Sequence, residues 1–295
     1  MKLNSFMEEL FGLLPVYKPK GLTSTEVLNR IKKKFKISKL GHTGTLDPFA
    51  EGLLILLFGK ATRLAEYYQK LPKRYIAGGI LGIETDTYDI TGKVIRKTHG
   101  NYPSREELEE IVKTFKGEIL QVPPPFSAKK VRGKRAYKLA RKGELINLKP
   151  VKVKIYEIHL LEYKPPHFTL DVKVSGGTYV RSLIKDIGAK TYLGATTESL
   201  KRTEIGGMDL SFAIPLEEVL NLEDLKEVLL PPDEGLVFPK LEIDERRLKL
   251  LKNGVYIPLE GDFREGELVR VYSPSGFSAI GKVVEGKLKP EKVFV

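Results

Sequence analysis

The chain has 295 residues, a net charge of +12 and no cysteine, so disulfides, thiolate metal sites and cysteine nucleophiles are excluded. With 41% hydrophobic and 30% charged residues, and no apolar run approaching the roughly 18 residues of a membrane span, it reads as a globular chain with no place in a membrane. Glu8 and Glu9 fall where a signal peptide needs an apolar core, so the cytoplasm is the expected location, and 50 Lys and Arg against 38 Asp and Glu point to a polyanionic partner.

In chain order, Leu13 to Tyr17 reads as a short strand, and Thr23 to Glu26 has capping-box spacing before a helix ending near Phe35. The stretch Gly41-His42-Thr43-Gly44-Thr45-Leu46-Asp47-Pro48-Phe49-Ala50-Glu51-Gly52 follows. It is a poor way to build a core and a good way to aim a side chain. Its glycines open backbone conformations closed to other residues, and Pro48 biases Asp47 towards an extended conformation. Leu53 to Phe58 is an apolar run of strand length, Ala61 to Leu71 has helical spacing, and Tyr75 to Ile83 reads as another strand.

Glu84 to Gly92 is polar and turn-rich, and Ser104 to Glu107 is a second capping box. Three prolines in Gln121 to Ser127 require an extended path. From Ala128 to Lys154 eleven Lys or Arg face one acid, Glu144, a composition suited to tracking a nucleic-acid backbone. Val151 to Tyr163 and Phe168 to Val174 alternate as paired strands. Ser175 to Arg181 turns into a helix with Thr178 as its expected N-cap, and Arg181 in the first turn calls for a nearby carboxylate. Leu200 to Gly206 returns as a strand. Pro231 to Gly235 has linker character, and short strands follow it. The expected division is residues 1–232 and a small β-barrel over 236–295.

The four histidines, His42, His99, His159 and His167, lack the spacing of a ligand set. No metal is therefore expected. From the residues alone, a non-catalytic RNA-binding protein and a hydrolase built on His42 and Asp47 remain open beside an RNA-acting enzyme.

Gly41 to Pro48 with Gly52, Lys73-Arg74-Tyr75, Thr85-x-Thr87-x-Asp89-x-x-Gly92 and Gly177-Thr178-Tyr179-Val180-Arg181-Ser182-Leu183 occur in one order. Together they resemble the TruB family of tRNA pseudouridine synthases, in its bacterial form rather than the guide-dependent dyskerin type. The resemblance implies an α+β fold: a mixed, mainly antiparallel sheet flanked by helices (the pseudouridine synthase fold), with a C-terminal PUA-like RNA-binding domain. It implies a cofactor-free isomerisation of uridine 55 in the T-loop of tRNA on a flipped base, by a monomer with no obligatory protein partner.

In that pattern Asp47 is the catalytic carboxylate, and Arg181 is its partner, expected to keep it ionised by lowering its pKa. Tyr75 stacks on the target base near its C5 proton, and His42 contacts RNA and holds the flipped conformation. Tyr179 and Leu200 line the pocket. Lys18, Lys73, Arg74, Lys129, Lys130 and Arg132 are expected RNA contacts. The chain departs from the family near Thr196, where an aromatic residue or histidine is common, and at Lys201, commonly arginine.

Overall fold

The computed structural model describes residues 10–126, 130–131, 134–135 and 148–295. Both capping boxes form. Thr23 and Glu26 exchange bonds at the start of α1 (Ser24–Phe35), and Ser104 and Glu107 do the same before α3 (Arg105–Lys113). Between them, Gly59–Leu64 is a 3-10 turn that leads into a short α2 (Ala65–Lys70).

The main sheet is built from β1 (Gly12–Lys18), β2 (Leu40–His42), β3 (Glu51–Phe58), β4 (Lys73–Leu81), β7 (Gly117–Gln121), β10 (Val151–Lys164), β11 (His167–Val174), β12 (Ala195–Ile205), β13 (Met208–Asp209) and β14 (Ile214–Pro215). Its order is β14-β1-β3-β12-β4-β11-β10-β7, with β2 on β3 and β13 on β12. All neighbours pair antiparallel except β1 with β14 and β3 with β12. This is the mixed, mainly antiparallel sheet expected. Two hairpins lie outside it, β5 (Ile83–Thr85) with β6 (Val94–Lys97), and β8 (Lys130–Val131) with β9 (Lys134–Arg135).

Helix α4 (Val180–Lys190) packs on the face of this sheet that carries Tyr75, Ala77, Leu170, Val172 and Leu200. On the other side of the chain centre, α1 and α5 (Leu216–Asn221) cover Leu14, Val16, Leu54 and Leu56. The start of α4 differs from expectation by one residue. Thr178 shares its hydroxyl with Ser175 at 3.2 Å inside the preceding turn, so Tyr179, with no side-chain cap, takes the N-cap position.

The C-terminal region holds a five-stranded sheet in the order β15-β17-β18-β19-β16 and helix α6 (Glu245–Lys252). Its strands are β15 (Lys240–Glu242), β16 (Ile257–Pro258), β17 (Leu268–Ser273), β18 (Gly276–Val284) and β19 (Lys287–Val293).

The stretch before it is no slack linker. Asp233 is buried, accepts from Arg270 at 3.2 Å and from the Tyr272 hydroxyl, and the Tyr68 hydroxyl donates to the carbonyls of Pro232 and Glu234. Phe277, Ile280 and Phe294 share one apolar cluster with Leu13, Leu53, Ile55 and Leu57 of the main sheet. Proline and glycine there shape a packed corner rather than a hinge. No helix among the described residues is long and apolar enough to cross a membrane.

Candidate active site

The Gly41–Gly52 stretch leaves β2 and returns as β3, antiparallel neighbours with His42 opposite Leu56. Buried loop carbonyls need partners, and between residues 44 and 48 every one has one. Gly44 and Thr45 accept from Arg202 at 3.2 and 3.3 Å. Leu46 both accepts from and donates to the buried Ser24 hydroxyl, at 3.2 and 2.9 Å. The Asp47 carbonyl accepts from the Ala50 N–H at 3.0 Å and the Pro48 carbonyl from the Gly21 N–H at 2.7 Å. The loop is a fixed mount, and the Asp47 carboxylate is what it presents.

Arg181 meets that carboxylate with a fork. Its Nε lies 2.9 Å from Oδ2 and its Nη2 donates to Oδ1 at 3.2 Å. The rest of the guanidinium is equally occupied: Nη1 donates to the Thr87 carbonyl at 2.8 Å and to Asp89 Oδ2 at 3.2 Å, and Nη2 to the Phe126 carbonyl at 2.9 Å. The Arg181 side chain is 5% exposed and that of Asp47 31%, so the arginine is sunk and the carboxylate keeps one side open. A cation in the first turn of α4 opposes the helix dipole, and two carboxylates compensate it.

The expected direction of the Asp47 shift needs correction. Burial pushes its carboxyl above the usual range; the Arg181 guanidinium draws it back, Asp89 adds to the rise, and Arg202 also opposes it. Arg181 offsets the desolvation without reversing it.

Tyr75 and Leu200 lie on the same sheet face as the site. Both belong to the apolar cluster that contains Leu46 and Ala50, which flank Asp47, and Val180, which precedes Arg181. The Tyr179 N–H donates to Gln121 Oε1 at 2.8 Å, and the Ser182 hydroxyl to the Val122 carbonyl at 2.7 Å, so the proline-rich arm is fastened to the start of α4. His42 Nδ1 accepts the Gly44 N–H at 3.3 Å, which leaves the ring proton on Nε2.

Three expected RNA contacts have other employment. Lys18 is fully buried, donates to the Pro19 and Leu22 carbonyls at 2.9 and 2.6 Å, and is pushed down to about 8 by burial. Lys73 donates to the carbonyls of Tyr68, Gln69 and Leu71 at the end of α2. Arg74 alternates with Tyr75 to the opposite sheet face, where it holds Asp171 at 2.8 and 2.7 Å and Glu157 at 3.1 Å. Basic residues beside a motif satisfied carbonyls and carboxylates of the fold, not a surface.

Lys129 and Arg132 lie outside the described residues, as does most of the basic 128–154 run, and of Lys130 only the backbone is described, in β8. Two site residues were missed. Asp89 stood in a recognised motif without a role, and Arg202 sat one position beyond the noted departure at Lys201, with nothing to set it apart from the chain's many arginines. Thr196 itself is internal, its hydroxyl 2.9 Å from that of Thr85. No group of three or more His, Asp or Glu suited to a metal ion occurs among the described residues.

Residues 32–180 match the model of the TruB family pseudouridylate synthase N-terminal domain. The chain is 43% identical to tRNA pseudouridine synthase B of Aquifex aeolicus over 96% of its length and 99% of that protein's. It is 46% identical to the Thermosipho melanesiensis protein of the same name, over 83% of this chain and 80% of that one. Among solved structures, a Cbf5-Nop10-Gar1 complex superposes with a TM-score of 0.76 at 27% identity, covering 97% of this chain and 85% of that one. An H/ACA RNP bound to a substrate RNA containing 2'-deoxyuridine gives 0.74 at 26%, with the same coverages. A loop aimed at one carboxylate, an arginine forked onto it, and relatives matched along nearly the whole chain place this protein in the TruB family of pseudouridylate synthases.

Proposed function

We propose that this chain converts uridine 55 in the T-stem-loop of tRNA to pseudouridine, in the cytoplasm, as a monomer without cofactor or obligatory protein partner. The observation that carries this reading is the Asp47–Arg181 fork in a loop whose carbonyls are already bonded. In the reaction Asp47 acts on the uridine and the C–N glycosidic bond breaks. The freed uracil turns, C5 bonds to C1′, the C5 proton leaves and N1 is protonated. The proton that C5 gives to solvent is matched by the one that N1 takes up, so the nucleotide is isomerised with no net change in atoms or electrons. The base must leave its stack to reach an enclosed carboxylate, and a loop makes that cheaper than a duplex. Tyr75 supplies the stacking face, Leu200 and Tyr179 the walls, and His42 a contact that holds the flipped nucleotide.

The higher identity to relatives named for tRNA than to the chains of the Cbf5-Nop10-Gar1 complex and the H/ACA RNP supports a free tRNA substrate. We read residues 1–232 as the catalytic domain and the sheet of 236–295 as a PUA-like RNA-binding domain.

A tRNA transcript tritiated at C5 of uridine tests the proposal. One equivalent of tritium per tRNA is expected, and none when position 55 is cytidine; no release, or undiminished release from the cytidine substrate, would refute it. The same assay reads the charge of Asp47. The ionised carboxylate is the active form, so the single-turnover rate should fall as pH drops through its raised pKa. The acid limb is expected above the ordinary aspartate value of about 3.9. A limb at or below that value would contradict the assignment.

A further inference from the structure

Arg202 heads the fully buried side chains by size, at 1% exposure. Backbone carbonyls hold its guanidinium: Nε donates to Leu53 at 2.8 Å, Nη1 to Thr45 at 3.3 Å and Nη2 to Gly44 at 3.2 Å. A buried cation carries a desolvation cost, and a well-packed apolar side chain of similar volume is often neutral or better for stability. Stability alone does not account for its presence. Its position does. β12 places Arg202 opposite Tyr75 on β4 and beside Gly52 on β3, so it stands between the stacking tyrosine and the end of the catalytic loop. The approach is close enough to dictate the sequence. A Cβ on Gly52, whose φ is +111°, would lie 2.3 Å from the Arg202 carbonyl oxygen.

We infer that Arg202 is a positioning residue for the isomerisation: by gripping the Gly44 and Thr45 carbonyls it sets where Asp47 stands between Tyr75 and Arg181, and it adds a second fixed positive charge to the pocket. Its guanidinium is buried, and its hydrogen bonds go to backbone carbonyls rather than to the Asp47 oxygens. Two of the five consecutive loop carbonyls rest on it, and the Ser24 hydroxyl holds only the next one. The charged groups acting on Asp47 are then Arg181 and Asp89, which meet it from α4 and the Thr85–Gly92 turn, Arg202 from β12, and Lys18 from the end of β1. Arg181 binds the carboxylate and Arg202 binds its mount.

The inference rests on the tRNA reading for its kinetic test and is independent of it for its structural one. Arg202→Lys keeps the charge but gathers its donors on one nitrogen, and so loses the separate Nε, Nη1 and Nη2 bonds that the planar guanidinium makes to Leu53, Thr45 and Gly44. Arg202→Met keeps the stem and loses both. In single turnover with tritiated tRNA, Arg202→Lys should slow at least about tenfold and Arg202→Met about 100-fold, the scale of a misplaced reacting group. The tRNA Kd should stay within about threefold, since the side chain is buried. The acid limb should stay in place for Arg202→Lys and move to higher pH for Arg202→Met. Amide hydrogen exchange at residues 43–47 should accelerate in both variants while the β4 and β11 amides stay protected, a readout that needs no activity.

A folded Arg202→Lys with the parental rate and loop protection overturns the proposal. So does a rate loss explained wholly by weaker tRNA binding. If Arg202→Met does not fold, Arg202→Lys decides. Wild-type enzyme that releases no tritium would remove the tRNA reading while the exchange result still judges Arg202.

Discussion

Asp47→Asn should abolish tritium release, lowering the single-turnover rate by roughly four orders of magnitude or more, the scale seen when the reacting group itself is removed. The substitution is nearly isosteric, and the carbonyl oxygen of the new side-chain amide can still accept one N–H from Arg181. Arg181 keeps Asp89, Thr87 and Phe126 as partners. Asp47 also carries a charge that burial disfavours, so its loss should leave the melting temperature nearly unchanged. The loop's mount is made of backbone carbonyls and does not depend on the carboxylate. Unchanged tRNA binding and melting with no turnover is therefore the expected combination. Release at even a hundredth of the wild-type rate would mean that another group carries the chemistry.

Arg181→Met should damage both rate and fold, which separates it from the first substitution. It leaves Asp47 facing Asp89 with no shared cation, so the Asp47 acid limb should move to higher pH. Stripping one partner from a buried pair costs about 3–5 kcal/mol, and less here because the Asp47 side chain keeps 31% of its surface in solvent. A lowered melting temperature and a rate reduced by roughly 10³-fold are expected, since fixed donors at a reacting centre are worth about that much. Arg181→Lys should recover part of the stability and little of the rate. A melting temperature equal to wild type in Arg181→Met would show that the Asp89 contact carries no energy.

Local patterns in the sequence were legible wherever one chain segment contains the whole physical cause. Both capping boxes, the apolar run of β3 and the alternation of β10 and β11 needed no distant partner. That Asp47 and Arg181 pair was readable because a cation in a helix's first turn calls for a carboxylate. Lys18, Lys73 and Arg74 were misplaced for the opposite reason: whether a cation serves solvent, a carbonyl or a carboxylate is decided by tertiary neighbours. Arg202 shows the same limit from the other side. Its partners, Gly44 and Thr45, are backbone atoms 158 and 157 residues away, and backbone carries no sequence signature. The Pro231–Gly235 corner had linker composition because a tight packed turn and a loose one draw on the same residues.

The contacts of Arg181 span 134 residues to Asp47, 92 to Asp89 and 55 to Phe126. Contacts that close such long loops are costly in chain entropy, so a partly folded chain lacks the neighbourhood that makes them worthwhile. Turnover therefore doubles as a clock for the last stage of folding. After dilution from denaturant, far-UV signal from local helices and hairpins should return first, and activity should return only when three remote segments have found one arginine.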